Sequence, residues 1–396
     1  MSVPIVVFGE DWGSHPSSTQ HLVRRLMCDH SIIWVNSIGL RRPRTSWLDL
    51  RRAATKLVRA IVDLVDAGRT SAVHADRDPW FEVVNPLALP ARSDRVGRRV
   101  NRALLGMAVR RVLRRRSVEA PILWISLPTA VDVVGALQEH GVVYYCGDDW
   151  GAMPGVDHAR IKRLEAELAQ KAHLILAASP VIAAKFPPEK VVVLSHGVDL
   201  DQFGTVCTAR PHDLPDDAPI AGFYGMLSGW LDVALLVHAA EALPQWRFFL
   251  IGPIRTDVSA LAALPNVILA GARRHDELPA YVQHWDVSLL PFADNAMTRA
   301  FNPLKLREYL AAGTPIAATP LAALEPYGDL IEVGRTPMGF VAAIRSAGAE
   351  GRSRAEARRQ RVAPETWERR AEEVETLLGR LRSGPFASVG PCARFC

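Results

Sequence analysis

Asn302-Pro303-Leu304-Lys305-Leu306-Arg307-Glu308-Tyr309-Leu310-Ala311-Ala312-Gly313-Thr314-Pro315-Ile316 runs from a loop into a helix and out into a strand, with Lys305 and Glu308 as candidate ligand-binding charges. The pattern predicts a helix opened by Asn302 and Pro303, because proline suits a first-turn position whose N–H has no intrahelical partner, and closed by Gly313 and Pro315. Lys305 and Glu308 are three residues apart and can share one helix face. The start of that helix, at Asn302, Pro303 and Leu304, offers N–H groups and a partial positive charge that suit a phosphate. A cation for a diphosphate beside a carboxylate for sugar hydroxyls points to a nucleotide sugar; the competing reading is a solvated helix face. Nearly every cation in the chain is arginine, and Lys305 is the only lysine after Lys190. A lysine reaches a phosphate as a compact point charge, with no planar fork to orient.

Outward from this stretch, short apolar runs alternate with helical patterns over nearly the whole chain, which predicts an α/β protein with parallel sheets wrapped by helices. Strands are expected at 5–8, 32–36, 81–85, 122–126, 142–145, 174–177 and 191–194 in the first half. The second half repeats the plan at 220–224, 248–251, 267–270, 287–290, 315–318 and 330–333. The segment 199–219, rich in Asp and Pro without helical periodicity, reads as a linker. The expected domains are therefore 1–198 and 199–365. A helix at 366–383, apolar at Trp367, Ala371, Val374, Leu378 and Leu381, is expected to pack back on the first domain, and 384–396 reads as a disordered tail. Two such sheets place ligands outside the carboxyl ends of their strands, an arrangement suited to two substrates across a cleft.

The 396 residues carry 47 Lys and Arg against 42 Asp and Glu, with five cysteines that lack metal-ligand spacing. That composition fits a reducing compartment and no zinc site. No long uncharged apolar run is present, and the chain enters its first strand without a signal-like segment, so a cytoplasmic location is expected.

Four segments of the second half together resemble the nucleotide-sugar domain of GT-B glycosyltransferases, in the bacterial group related to family 4. They are His196-Gly197-Val198-Asp199 with Phe203; Gly222-Phe223-Tyr224-Gly225 with Trp230 and Asp232; Phe249-Leu250-Ile251-Gly252-Pro253; and the run from Asn266 through Leu278-Pro279-Ala280-Tyr281, Asp286 and Pro291-Phe292 into the Lys305 helix. The resemblance covers about 181–319. It implies a GT-B fold of two Rossmann-like domains, with Glu308 on the ribose hydroxyls of a UDP-sugar. Read physically, Gly222 and Gly225 let a diphosphate approach backbone N–H groups at a strand end, and Gly252 ends a strand where a nucleobase can rest; plain turns are the alternative. One position departs from the family: many members have a glutamate eight residues before the helix glutamate, and here it is Ala300. That leaves Arg299, Thr298 or Asn302 to meet the donor sugar and leaves the stereochemical outcome, usually retaining, open.

In the first half, the loop from Gly9 to His21 follows the first strand, so Asp11, Trp12, His15 and His21 are candidates for binding an acceptor, with Trp12 stacking on a sugar and Ser17 or Ser18 as a helix cap. A second loop puts Asp148 and Asp149 after the strand at 142–145. Either could orient an acceptor hydroxyl or remove its proton, since adjacent carboxylates raise one another's pKa. A helix cap in a surface turn is the alternative.

From Asp94 to Glu119 there is no acidic residue between the two, while Arg98, Arg99, Arg102, Arg110 and Arg114 alternate with apolar positions. Such a basic amphipathic helix suits the surface of an anionic membrane, and 46–65 could extend the patch. The resemblance adds a lipid-linked or growing glycan acceptor in exopolysaccharide, capsule or wall synthesis, with the protein peripheral on the inner membrane face. Nucleic acid is not expected as a partner, because few aromatics accompany the arginines and no nucleic-acid motif is present. The expectation is thus a metal-independent glycosyltransferase without a cofactor, in which Lys305 and the helix start meet the developing phosphate charge. A catalytically silent sugar- or membrane-binding partner and a nucleotide-sugar epimerase are the alternatives.

Overall fold

The computed structural model describes residues 3–14, 17–37, 80–86, 95–153 and 155–382. His15, the basic segment 46–65 and the tail at 384–396 lie outside the described residues. The chain divides into two compact units, Met1–Ser195 with Ala371–Cys396, and His196–Arg370. At the junction, Val198 N–H donates to the Glu365 carbonyl at 2.9 Å, and Trp367 N–H donates back to the Val198 carbonyl at 3.3 Å. Gly197 permits this approach, since a Cβ there would lie 2.6 Å from the Trp367 nitrogen. The helix Trp367–Arg382 accordingly begins in the second unit and ends in the first, where Glu375 meets His30 Nε2 at 2.6 Å.

Among the described residues, the first unit has seven strands: β1 (Ile5–Phe8), β2 (Ile32–Val35), β3 (Phe81–Val84), β4 (Ile122–Ile125), β5 (Gly141–Cys146), β6 (Leu174–Ala177) and β7 (Val191–Val193). They lie in the order β3-β2-β1-β4-β5-β6-β7, all parallel. The five central strands are buried at every position. This explains why they read as unbroken apolar runs: a parallel sheet is covered on both faces. The edge strand β3 is half-buried throughout.

The second unit has β8 (Ile220–Tyr224), β9 (Arg247–Ile251), β10 (Val267–Gly271), β11 (Val287–Leu290), β12 (Ile316–Ala318) and β13 (Glu332–Val333), in the order β10-β9-β8-β11-β12-β13, again parallel. Side chains alternate between two cores: Ile220 and Tyr224 of β8 join one, Ala221 and Phe223 the other. In each unit the winding reverses at one place, between β1 and β4 and between β8 and β11; in open α/β sheets the carboxyl ends of the strands at such a reversal are where ligands bind.

Two local expectations are corrected. Segment 199–219 is more than a linker: Asp199 caps a helical turn, Leu200–Phe203, and Phe203 and Leu214 are buried in the second unit's core. The helix after Asn302 starts one residue later than expected, as Leu304–Ala312 with Pro303 at its N-cap, because the Asn302 side chain accepts from Arg307 Nη1 at 2.7 Å instead of capping. Gly313 ends that helix at φ +74°, a left-handed conformation that suits glycine.

Candidate active site

At the second unit's switch point, β8 is followed by Gly225 and β9 by Gly252, both with positive φ, at +138° and +144°. The two backbones touch: a Cβ on Gly252 would sit 1.9 Å from the Gly225 carbonyl oxygen. A Cβ on Gly225 would come 3.2 Å from Lys305 Nζ. The glycine therefore leaves the lysine head beside bare backbone. Lys305 is half-buried on the first turn of Leu304–Ala312, its ammonium 5.4 Å from the Phe223 ring centre and 5.6 Å from that of Phe292. No carboxylate forms an ion pair with it among the described residues. Burial lowers its pKa, and the charge of Glu308 partly opposes that shift. The Gly225 and Gly252 N–H groups themselves donate to the carbonyls of Ile251 and Gly271, both at 2.8 Å, so the group here that is suited to an anion is the ammonium held between aromatic rings.

Glu308, one turn on, is buried with both oxygens engaged. Tyr224 Oη donates to Oε2, and His275 Nε2 lies 3.1 Å from Oε1. Burial alone would raise its pKa; hydrogen bonds from His275 and Tyr224 and the charge of Lys305 bring it below the usual value, so it is a carboxylate at neutral pH. Each carboxylate oxygen has a second lone-pair direction, so Glu308 can still accept from a diol. His275 was not legible as a site residue, since it stands 33 positions from Glu308 in a loop with no motif of its own.

Other donor-side candidates have structural employment. Gly222 sits inside β8, where a Cβ would strike the Trp285 ring at 1.9 Å, so this glycine makes room for an indole and not for a phosphate. Arg299 is exposed and paired with Asp294 at 2.6 and 3.0 Å. Thr298 is buried in a capping box with Asn295, and Asn302 is held by Arg307. Ala300 is itself buried and brings no polar group. Pro303 and Leu304 mark the helix start, with no side chain capping its N–H groups.

The corresponding ends of the first unit's strands gather carboxylates. Asp148 follows β5, and its pKa is pushed up to about 6 by burial first, then by Asp149 and Glu10. Asp149 is bound by Lys185 Nζ at 2.8 Å, and Lys185 also reaches the buried Glu165 at 2.9 Å. Glu10, at the end of β1, accepts from Ser17 Oγ and from Gln20 Nε2 at 2.9 Å. Its neighbour Asp11 points elsewhere: its Oδ1 accepts from the Ser37 N–H at 3.1 Å and hydroxyl at 2.8 Å, bracing the loop after β2. Trp12 is no open platform, because its ring packs 4.8 Å from Trp34 and 4.6 Å from Phe81. His21 is buried on the helix Ser18–Leu26, and Ser17 is that helix's cap.

The basic helix runs Arg95–Arg115. Four of its arginines serve the fold: Arg98 pairs with Asp132 and with Glu167 at 2.7 Å, Arg102 donates to the carbonyls of Asp132, Val134 and Gly135, Arg110 donates to that of Ala136, and Arg115 pairs with Glu82. Arg99 and Arg114 stay on the exposed face, alongside exposed Val96 and Met107. Among the described residues, no helix is long and apolar enough to cross a membrane and no group of three or more His, Cys, Asp or Glu is placed to hold a metal.

Residues 218–349 match the family model of the group 1 glycosyl transferases. A teichuronic acid biosynthesis glycosyltransferase of Bacillus subtilis, TuaH, is 29% identical over 245 residues, 56% of this chain and 62% of that protein. The UDP-glucuronate:glycolipid 2-beta-glucuronosyltransferase of Xanthomonas campestris is 30% identical over 189 residues, 45% of this chain and 42% of that one. The chain thus spans less than two thirds of the length of either relative. Among solved structures, sucrose-phosphate synthase of Thermosynechococcus elongatus superposes with a TM-score of 0.69 at 18% identity, covering 96% of this chain and 99% of the other. HepE of Anabaena in complex with UDP does so with a TM-score of 0.65 at 12% identity, over 96% and 100%. The two parallel sheets thus have the GT-B fold, and residues 218–349 carry the sequence pattern of the group 1 glycosyl transferases.

Proposed function

We propose that this protein transfers a sugar from a UDP-sugar to a growing or lipid-linked glycan in the synthesis of a surface polysaccharide. The observation that carries the proposal is the half-buried Lys305 ammonium facing Gly225 at the switch point of the second sheet, one helical turn from an ionised Glu308. In this reading Glu308 accepts from the ribose hydroxyls. The diphosphate lies against Gly225 and the start of Leu304–Ala312, and Lys305 meets the charge that grows on the leaving phosphate as the glycosidic bond breaks. The cation and the helix start supply positive charge where a metal otherwise would, so the proposed reaction is metal-independent. The relatives named for teichuronic acid and for glycolipid transfer favour the acceptor class.

The first unit supplies the acceptor side in this proposal, with Asp148, whose pKa near 6 lets it take a proton from a hydroxyl near neutrality. Retention of configuration is the outcome implied by the family resemblance. Inversion is the second reading, favoured by the missing carboxylate at Ala300 together with the base-like Asp148. The anomeric configuration of the product, read by NMR, separates the two. We place the protein on the inner face of an anionic membrane through Arg99, Arg114 and the apolar side chains exposed between them.

The test is the melting temperature of the purified chain with UDP, GDP, ADP or dTDP, each with and without EDTA. A ligand that binds only the folded state raises it. Stabilisation by UDP that survives EDTA is the expected result; no response to any diphosphate would remove the proposal.

A further inference from the structure

Glu308 is one end of a hydrogen-bonded chain whose other end lies in the segment that the sequence presents as a linker. Asp199 accepts from the Gln202 N–H at 3.0 Å and so fixes the turn Leu200–Phe203. Gln202 Nε2 lies 2.9 Å from the His275 carbonyl oxygen and 3.0 Å from the His275 ring nitrogen Nδ1. The carbonyl can only accept, so the amide is oriented with its NH2 group towards His275. That group's second hydrogen then faces Nδ1, which must accept it. In the neutral ring the proton therefore resides on Nε2, which points at Glu308 Oε1 from 3.1 Å. Phe203, the next residue of the same turn, packs against the imidazole in an edge-type arrangement at a centroid distance of 5.5 Å. The opposite carboxylate oxygen is held by Tyr224.

We infer that Gln202 and His275 are positioning residues for the nucleotide's ribose: Gln202 selects the histidine tautomer, and the histidine fixes the rotamer in which Glu308 presents its remaining lone pairs. The inference rests on the proposed role of Glu308. Without the Gln202 amide, the proton can move to Nδ1, and a bare Nε2 then faces a carboxylate, acceptor against acceptor. The carboxylate turns or the ring withdraws, and the geometry for the diol is lost while Lys305 and the glycine backbone at the phosphate end are untouched.

The experiment titrates UDP and 2′-deoxyuridine diphosphate into the full-length protein as wild type, Gln202→Leu, His275→Ala and His275→Gln. Wild type is expected to favour UDP by roughly tenfold or more, the worth of a hydrogen bond to a charged group. Gln202→Leu and His275→Ala should bring the ratio close to one by weakening UDP and leaving the deoxynucleotide unchanged. His275→Gln, whose amide still donates to Glu308, should keep more of the preference than His275→Ala. A merely structural role would weaken both nucleotides equally and preserve the ratio, which overturns the inference; Gln202 is only half-buried, so that variant carries the test even where His275→Ala folds poorly. A wild type that binds both equally removes the ribose assignment of Glu308, an outcome distinct from variants that retain a real preference.

Discussion

The two units solve the same topology with opposite charge. Both sheets are parallel and reverse their winding once, between β1 and β4 and between β8 and β11. At the second reversal the strand ends offer glycine backbone and a lysine between aromatic rings; near the first lie Glu10, Asp148 and Asp149. The frame is shared, and the chemistry lies in the loops it carries. An electropositive end suits a diphosphate, whereas a carboxylate end suits hydroxyls and a proton to be taken from one.

The largest effect expected from that contrast is on turnover. Lys305→Ala should reduce it by about a hundredfold to a thousandfold, the usual scale for one preorganised charge-stabilising group, with Asp148→Asn costing about a hundredfold as a lost proton acceptor. The two differ in stability. The folded pKa of Asp148, about 6, lies above its unfolded value, so the folded state binds the extra proton between about pH 4 and 6. Stability therefore falls as pH rises through that window and stays lower above it. Asp148→Asn removes this penalty and should raise stability at pH 7 by up to about 3 kcal/mol, measured by urea denaturation at pH 4 and pH 7, with no gain at pH 4. The wild-type rate should rise with pH through about 6 if Asp148 is the base.

Next in size is a backbone comparison. Gly252→Ala puts a methyl group into the Gly225 carbonyl and should cost about 2–4 kcal/mol, read from denaturant midpoints. Gly13, at φ +75° in the first unit, has nothing within 4 Å of a Cβ, so Gly13→Ala should cost only about 1 kcal/mol, the left-handed penalty alone. Equal costs would mean that the contact between the β8 and β9 ends is not a close one.

The smallest effect tests the membrane face. Reversing Arg99 and Arg114 to glutamate should weaken binding to anionic vesicles by about tenfold or more, at roughly 1 kcal/mol per basic residue, with stability changed by less than about 0.5 kcal/mol. Arg102→Ala should lower the melting temperature instead, because its guanidinium ties three carbonyls together.

The second unit's candidate site is marked in the sequence where its residues are close together. Lys305, Glu308 and Gly313 lie in one run, and the strand ends at Gly225 and Gly252 are marked by glycine. What surrounds Glu308 is not so marked, because Tyr224, His275 and Gln202 arrive from three separate elements and are joined only by folding. The loop after β1 misled for a related reason. Glu10 and Asp11 are adjacent and equally acidic, and nothing local tells which one turns towards the strand ends; Ser37, from another loop, takes Asp11. Trp12 likewise found aromatic partners on β2 and β3, and Gly222 an indole from the loop before β11. In the basic helix, charge pattern alone could not separate Arg98, Arg102 and Arg110, which serve the fold, from Arg99 and Arg114 on the exposed face. Strand positions were readable to within a residue or two, since parallel strands buried on both faces need continuous apolar runs.

The proposed hold of Lys305 on a diphosphate is decided by calorimetric titration of UDP and UMP into wild type and Lys305→Ala. Wild type should bind UDP at least about tenfold more tightly than UMP, and the substitution should remove this difference while leaving UMP binding nearly unchanged. A Lys305→Ala protein that keeps the full preference for UDP would contradict it.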